Sequence, residues 1–314
     1  MVKEKISVCG YCMLHRYETF AKVVSNIRTH LNLKDLKIYA YSFRDSFSPK
    51  IKKQLESQIN NFELKYIPKV IPSHISKKDL FYNKKYIDYV RKSFPKSRVN
   101  FLHMCHYMSD PSLIQDVLKY DLKIQFDDDS WFHKYPNISL DNIFNEKNKE
   151  IFTGNTFSYD YQKAKQTTVH LFETVKIFCK KYNITPKNEL LRTAIEKNNE
   201  KLFYELKYAS GNFNIYKTNF FTNKSWYKYI LHMKEAGGMF KHRWGDHEVI
   251  GIYGYLFYKD PIEDLNLVEK GIYEHKPSFL IKDGGLIYSG FSFKNKLKKI
   301  FGNIRIFLKK LLRK

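Results

Sequence analysis

The chain has 314 residues, of which 43% are hydrophobic and 17% aromatic, so it has enough core material to exclude a disordered protein. Its 55 Lys and Arg against 32 Asp and Glu give a net charge of +23, which predicts attraction to nucleic acid, acidic membrane or phosphorylated substrates. No run of about 20 apolar residues is present, so we expect no membrane-spanning helix. The N-terminus is unlike a signal peptide.

Strands and helices are predicted to alternate along the first 130 residues. Three segments have strand patterns: KISVCGYC at 5–12, LKIYAYSF at 36–43 and FELKYIP at 62–68. A helix is predicted between the first two, because apolar residues recur there at helical spacing, namely Phe20, Val23, Val24, Ile27 and Leu31. This order predicts an α/β fold whose parallel or mixed sheet carries helices on both faces.

The middle of the chain gives a weaker pattern. Residues 99–120 are predicted to be helical in two parts, with a break near Pro111. The sequence LKIQF at 122–126 is predicted to be the next strand. Residues 132–207 are polar and rich in Asn and Lys, and no elements are assigned there.

Three elements are predicted after residue 210. NFNIYK at 212–217 is typical of a short strand. The helix SWYKYILHMKEAGGMF is predicted to end at Gly237 and Gly238, because glycine favours the C-terminal cap. DHEVIGIYGYLF is predicted to form a second helix that Asp246 caps.

Three consecutive aspartates, Asp127, Asp128 and Asp129, follow the predicted strand 122–126 in a chain that is otherwise strongly basic. In open α/β sheets, ligands bind beyond the carboxyl ends of the strands. Carboxylates two residues apart on an extended segment point the same way. They can share Mg²⁺ or Mn²⁺, whose other positions would take diphosphate oxygens. The alternative is a solvated turn with a helix cap.

The pair Cys9 and Cys12 has the C-x-x-C spacing of some redox and zinc sites. No second C-x-x-C or C-x-x-H follows, and no helix is predicted to start directly from the pair. We therefore expect Cys9 and Cys12 to be buried thiols, and we expect the four cysteines of the chain to form no disulfide framework in a reducing, cytosolic setting.

The segment GGMFKHRWGDHEVIG at 237–251 places six ionisable residues between two apolar runs. Arg243 offers a planar fork for phosphate or carboxylate. Asp246 and Glu248 can accept hydrogen bonds from sugar hydroxyls, or take a proton from one. An exposed loop with an N-cap is the alternative, and it accounts for Asp246 but not for Trp244 between an arginine and a glycine.

This segment resembles the G-G-F-F-Y-E-R-W-G-D-x-x-V-H-S block of the Kre2/Mnt1-type α-1,2-mannosyltransferases, glycosyltransferase family 15. Four further pieces follow the family's order over roughly Asn100 to Pro277. HMCHYMSD resembles H-M-C-R-F-(Y/W)-S-G, and FDDDSWF occupies the place of V-E-P-D-V-K-F. GNFNIYKTNFF resembles S-N-F-E-I-x-x-x-x-F-F, and GIYEHKP is similar to G-Y-x-H-x-P.

The resemblance implies a GT-A fold, a nucleotide-sugar donor such as GDP-mannose, and Mn²⁺ (or Mg²⁺) near the diphosphate. Asp127 and Asp129 stand where the family has its Glu and Asp, and Asp128 stands at its Pro. The resemblance makes His275 a further protein ligand of the metal, and imidazole suits Mn²⁺ beside carboxylates. It also places the arginine and aspartate of the R-W-G-D block at Arg243 and Asp246.

Two positions depart from the family. The Glu of S-N-F-E-I, the family's candidate nucleophile, is Asn214, and an amide cannot form the carboxylate ester of a double displacement. Asn214 would then solvate the oxocarbenium-like centre, or Asp246 or Glu248 would take the role. Phe101 stands where the family has a tyrosine thought to meet the acceptor. We also expect this protein to lack the family's N-terminal membrane anchor.

The segment 291–314, FSFKNKLKKIFGNIRIFLKKLLRK, holds nine Lys or Arg and no acid. Its apolar residues follow helical spacing with basic residues opposite, as in helices that lie in an anionic membrane surface. The alternatives are a helix packed on the body and a nucleic-acid-binding tail. We expect a GT-A domain at 1–288, a membrane-associating tail at 289–314, and a cytoplasmic protein on the inner face of a membrane.

The sequence as a whole predicts a metal-dependent glycosyltransferase that moves a sugar to a glycan or lipid-linked acceptor. Lys241 or Arg243, with Asp127 and Asp128, would bind the diphosphate. Phe101 and Trp244 are predicted to contact the acceptor. The alternatives are a basic nucleic-acid-binding protein, although we expect no nucleic-acid partner, and an inactive protein that binds sugar nucleotides.

Overall fold

The computed structural model describes residues 6–43, 47–80, 99–162, 164, 168–275, 279–282 and 285–288. A seven-stranded mixed sheet forms its centre, in the spatial order β10-β6-β9-β4-β1-β2-β3. Strands β1 to β4 run parallel, and β9 is antiparallel to both β4 and β6. The strands of this sheet are β1 (Val8–Met13), β2 (Lys37–Phe43), β3 (Phe62–Ile67), β4 (Leu122–Phe126), β6 (Ile151–Thr153), β9 (Phe213–Lys217) and β10 (Ile262–Asp264).

Six further strands form three two-stranded sheets, which pair β11 with β5, β12 with β13, and β7 with β8. They are β5 (Ser130–Phe132), β7 (Thr156–Phe157), β8 (Tyr208–Ala209), β11 (Tyr273–His275), β12 (Phe279–Lys282) and β13 (Gly285–Tyr288).

The α-helices occupy both faces of the large sheet. They are α1 (Phe20–His30), α2 (Pro49–Gln58), α3 (Val99–Ser109), α4 (Leu140–Asn145), α5 (Leu171–Tyr182), α6 (Glu189–Glu196), α7 (Glu200–Tyr204), α8 (Lys224–Ala236), α9 (Gly238–Lys241) and α10 (Asp246–Phe257). Three 3₁₀ segments, Lys77–Asp79, Pro111–Lys119 and Thr218–Phe221, connect them.

Two apolar layers hold these elements together. One layer packs α1 against the sheet through Phe20, Val23 and Ile27, all fully buried. On the other face, α8 and α10 pack through an aromatic group that includes Trp226 and Tyr253, whose rings meet edge to face at 4.8 Å. Burial of this much aromatic surface is the main driving force for such a core.

The structure confirms the predicted α/β class and the mixed sheet with helices on both faces. Gly237 caps α8 in the left-handed conformation (φ 70°), as predicted. Helix α10 begins one residue earlier than predicted, because Gly245 is its N-cap and Asp246, the predicted cap, is its first residue. Residues 132–207, left unassigned above, contain helices α4 to α7 and the short strands β6 and β7.

Cys9 and Cys12 are buried thiols, as predicted, and Cys105 and Cys179 are also buried and free. None of the helices in the described part of the chain has the length and apolar character that a bilayer span requires. The predicted amphipathic helix at 289–314 lies outside the described residues.

Candidate active site

The carboxyl end of β4 and the short sheet beside it bring two acids and a histidine together. Strand β5 pairs with β11 so that Ser130 lies opposite His275. The Nε2 atom of His275 is 2.7 Å from Asp127 Oδ2 and 3.1 Å from Asp129 Oδ1. One ligand atom from each of the three residues lies within 4.8 Å of the others. They form the acid–histidine cluster: Asp127, Asp129 and His275.

Hydrogen bonds to neighbouring residues hold the acid–histidine cluster in position. The Asp127 amide donates to the carbonyl of Asn212 at 3.1 Å and to Ser130 Oγ at 3.0 Å. Ser130 Oγ is 2.8 Å from the hydroxyl of Tyr273, which donates to the same Asn212 carbonyl. Such supporting contacts orient ligands before a metal arrives.

The electrostatics of the cluster reflect crowded carboxylates beside one imidazole. Burial raises the pKa of Asp127, and the hydrogen bond and charge of His275 offset only part of that effect. Burial alone would lower the pKa of His275, but hydrogen bonds to Asp127 and Asp129, and their charges, raise it to about 9. Without a metal, the imidazolium therefore balances part of the acidic charge.

Asp128 points away from the cluster, towards the loop between β1 and α1. Its Oδ2 accepts the backbone N–H groups of His15 and Arg16 at 2.6 and 2.7 Å, and its Oδ1 accepts from the Arg16 guanidinium. Only 1% of its side chain is exposed. The predicted diphosphate contact does not fit this position, because both oxygens are committed to the loop. Arg16 also reaches Asp129 at 2.8 Å and so joins the loop to the cluster.

A second group of polar side chains lies next to the cluster, across β4 and β9. Gln125 donates through Nε2 to Asp246 Oδ2 and to the Gly211 carbonyl, both at 3.1 Å, and accepts from the Tyr11 hydroxyl. Asp246 is thereby held at the N-terminus of α10, where the helix dipole favours a carboxylate. Asn214 is fully buried opposite Gln125 in the β-ladder, and its amide donates to Tyr216.

Glu248, predicted to act with Asp246, is enclosed. It is 1% exposed, accepts the hydroxyl of Tyr159, and lies 3.0 Å from His247 Nε2. Burial alone would raise the pKa of Glu248, but the charge of His247 and the hydrogen bonds from His247 and Tyr159 lower it. Burial alone would lower the pKa of His247, but Glu248 and Asp246 raise it to about 10. Glu248 therefore pairs with His247, and its buried carboxylate is poorly placed to contact an acceptor.

Four predicted residues remain: Phe101, Lys241 and Arg243 are half-buried, and Trp244 is a core residue. The Arg243 guanidinium lies over the ring of Phe101, 4.6 Å from its centroid, and Lys241 is half-buried nearby at the end of α9. Trp244 is 1% exposed, donates through Nε1 to the Val169 carbonyl, and packs on Gly238. The acceptor contact predicted for Trp244 does not fit this buried position.

Sequence reasoning missed four residues at this site: Arg16, Gln125, Tyr159 and His247. His247 carried a signal, because it lies between two acids in the sequence. Arg16 and Tyr159 lie far from the acids along the chain, and only the fold brings them near. Gln125 occupies a buried position of β4, on the same face of the strand as the buried Lys123.

Comparisons with known proteins identify the family and the fold of this chain. The profile of the family described as glycolipid 2-alpha-mannosyltransferase matches residues 3–294. Glycolipid 2-alpha-mannosyltransferase 1 of Candida albicans is 26% identical over 180 residues, which make up 57% of this chain and 40% of that protein. The chain thus matches well under half the length of this curated relative.

Two solved structures share the fold. Core-mannan synthase A from Aspergillus fumigatus, in its Mn/GDP form, is 18% identical with a TM-score of 0.67, over 92% of this chain and 82% of that one. The mannosyltransferase Ktr4p from S. cerevisiae, in complex with GDP, is 17% identical with a TM-score of 0.68, over 87% of this chain and 72% of that one. The fold of this chain is accordingly of the GT-A type.

Proposed function

The chain belongs to the glycolipid 2-alpha-mannosyltransferase family, and on that premise we propose that it is a metal-dependent mannosyltransferase. It would move mannose from GDP-mannose to a hydroxyl of a glycan or lipid-linked acceptor. The observation that carries this proposal is the acid–histidine cluster at the carboxyl end of β4. The proposal is supported by a relative named as a mannosyltransferase and by similar structures that contain Mn and GDP, or GDP alone.

The acid–histidine cluster fits a divalent metal. Two carboxylates and one imidazole, with ligand atoms within 4.8 Å of one another, are a donor set that Mn²⁺ accepts, and Mg²⁺ would use the carboxylates. Asp127, Asp129 and His275 would hold the ion. A bound ion there would supply positive charge to the departing diphosphate.

The other predicted side chains suit contacts with the donor diphosphate and with the acceptor hydroxyl. Arg243 presents a guanidinium suited to a diphosphate, with Lys241 beside it, and the Phe101 ring holds the guanidinium in place. Asp246 would accept a hydrogen bond from the acceptor hydroxyl and take its proton, since Gln125 fixes its other side. Phe101 would line the acceptor side. Asp128 would contribute by holding the loop that carries Arg16.

Asn214 excludes a covalent intermediate at its own position, because a carboxamide is not a nucleophile of the required kind. The fully buried amide would instead present its Oδ1, which has no hydrogen-bond partner in the described structure, to positive charge that develops at the sugar. Transfer would then occur by direct attack of the acceptor hydroxyl.

We also propose that the chain divides into a glycosyltransferase domain and a membrane-associating tail. Residues 1–288 would make up the GT-A domain, and 289–314 would hold it on an anionic, cytoplasmic membrane surface by the basic amphipathic pattern of the sequence.

The test is transfer and hydrolysis of GDP-mannose by the full chain, in Mn²⁺ and in EDTA. We expect turnover that EDTA abolishes and that Asp129→Asn reduces by about 100-fold or more. Glu269→Gln, which neutralises an exposed acid elsewhere, is the matched control and should keep full activity. Metal-dependent binding without turnover would favour an inactive sugar-nucleotide-binding protein. Full activity in Asp129→Asn would refute the metal assignment.

A further inference from the structure

A separate cavity lies at the opposite end of β4 from the acid–histidine cluster. Its volume is about 550 Å³, within the ~300–1,000 Å³ of small-molecule sites. Strand β4 has Asp121 just before its start and Asp127 just after its end, so at about 3.3 Å per residue the two sites are about 20 Å apart. The cavity is therefore distinct from the candidate active site.

The inner wall of this cavity contains polar groups that the protein itself does not satisfy. Glu150 is 6% exposed and Thr218 is 4% exposed, and both line the cavity. Glu150 Oε2 and Thr218 Oγ1 have no hydrogen-bond partner among the described residues. Buried polar atoms without partners are rare in folded proteins, and each one calls for a ligand or an ordered water.

The charges of the lining balance one another. The cationic members are Lys119, Lys147 and Lys217, and the acidic members are Asp121, Glu146 and Glu150. Three cations against three acids give no net attraction for a phosphate or a nucleotide, whose binding requires a surplus of positive charge. A neutral ligand with many hydroxyl groups suits this lining best.

An exposed aromatic ring completes the lining. Phe144 on α4 is 41% exposed and lies at the cavity, with Leu118 and Tyr120 also contributing apolar surface. A sugar ring presents an apolar C–H face and an edge of hydroxyl groups. Phe144 can cover the first, and the carboxyl of Glu150 and the hydroxyl of Thr218 can bond the second.

We propose that this cavity is a second, non-catalytic binding site for a neutral saccharide, formed by Phe144, Glu150 and Thr218. This site goes beyond the proposed transfer reaction. It would hold part of a glycan while another part, or another molecule, occupies the active site.

The experiment titrates the full chain, in EDTA, with α-1,2-mannobiose, maltose and cellobiose by isothermal titration calorimetry. Inorganic phosphate and GDP are the anionic probes. The mannoside is chosen from the proposed function, whereas the other two sugars are independent of it. We expect one disaccharide at least to bind in EDTA, and Phe144→Ala and Glu150→Gln each to weaken it about fivefold or more.

Two controls locate that binding. Tyr135→Ala removes an exposed aromatic ring elsewhere, and Asp129→Asn alters the acid–histidine cluster and its contact with Arg16, far from the cavity; both variants should bind the disaccharide like the wild type. Phe144 is exposed, so its truncation should leave folding intact, which circular dichroism verifies. Saccharide binding that survives both cavity substitutions, the absence of binding by all three sugars, or phosphate binding that Phe144→Ala weakens would each overturn the proposal.

The two proposals fail separately. If GDP-mannose is not turned over but disaccharide binding depends on Phe144, only the transfer function falls. If turnover is metal-dependent and the cavity variants bind sugars as the wild type does, only the saccharide site falls.

Discussion

Truncation of Asp128 tests whether this acid contacts a donor or anchors a loop. The Asp128 carboxylate accepts four hydrogen bonds, two from the backbone N–H groups of His15 and Arg16 and two from the Arg16 guanidinium. Asp128→Ala removes all four. The backbone N–H groups lose a charged acceptor that no neighbouring side chain replaces without movement of the loop.

The expected loss of stability follows from these contacts. A hydrogen bond to a charged group contributes about 1.5–3 kcal/mol, which would give about 3–6 kcal/mol for the two backbone donors. Water can partly replace the acceptor beside the loop, and the half-exposed Arg16 adds little, so we expect about 3 kcal/mol in total. With an unfolding entropy of about 2.1 cal/mol/K per residue, a chain of this length should lose about 5 °C in Tm.

The assay is thermal unfolding followed by circular dichroism, with GDP affinity measured on the same samples. Arg16→Ala keeps both backbone hydrogen bonds and should lower Tm by no more than about 2 °C. Asp128→Asn keeps one acceptor oxygen and should lie between the two. If Asp128→Ala unfolds within 1 °C of the wild type and only weakens GDP binding, the loop-anchoring account is refuted, and a donor contact takes its place.

Three further substitutions test the neighbouring groups. The pKa of His247 is raised to about 10 by Glu248 and Asp246, and the Tyr159 hydroxyl also faces the ring. The charged imidazolium therefore stabilises the fold fully below pH ~6.5, and this stabilisation is lost as pH rises through 10. The pKa of His275 is raised to about 9, so the loss of its charge destabilises the protein over a similar pH range. We therefore expect the Tm of the wild type to fall between pH 7 and 10, and the Tm of His247→Gln to be lower at pH 7 and to fall less. Equal slopes of Tm against pH in the two proteins would contradict this. Gly238→Ala would put a methyl carbon 2.1 Å from the Trp244 ring, so we expect a cost of at least about 1–3 kcal/mol in denaturant unfolding, whereas Gly154→Ala, whose added carbon would come no nearer than 3.6 Å to its neighbours, should cost less. Asn214→Glu would bury a carboxylate near Asp246 and should destabilise the fold by several kcal/mol without faster transfer; a faster and equally stable variant would show that the position can serve a nucleophile.

The elements that could be predicted are those whose apolar residues lie along one face or form an unbroken run. Strands β1 to β4 and helix α1 were found because their apolar residues recur at strand or helix spacing. Residues 132–207 were missed because asparagine was taken for loop composition. Asn188 and Asn199 in fact cap α6 and α7 by accepting the N–H groups of Leu191 and Leu202, and Asn183 ends α5 in the left-handed conformation. The asparagines mark the ends of helices there.

Residues of the site could be predicted where the signal is local in the sequence, and could not where their position depends on contacts with distant segments. Asp127 and Asp129 were predictable because a strand and its end are local features. The direction of Asp128 was not, since the partner loop lies 112 residues away in sequence. Trp244 was misjudged for a related reason: its neighbours in sequence are charged, but its ring packs on Gly238 and bonds to Val169.

The acidic triplet of this basic chain is balanced locally, and the balance bears on metal binding. Asp128 and Asp129 are almost fully buried, so their charges interact strongly with whatever lies near them. In the described structure that role falls to Arg16, which bridges the two, and to His275, which bridges Asp127 and Asp129. A divalent ion at the acid–histidine cluster would compete with both for Asp129. We therefore expect Arg16→Ala to leave metal affinity equal or higher while it weakens the loop. A loss of metal affinity in Arg16→Ala, measured by Mn²⁺ titration, would show instead that the loop position matters more than the competing charge.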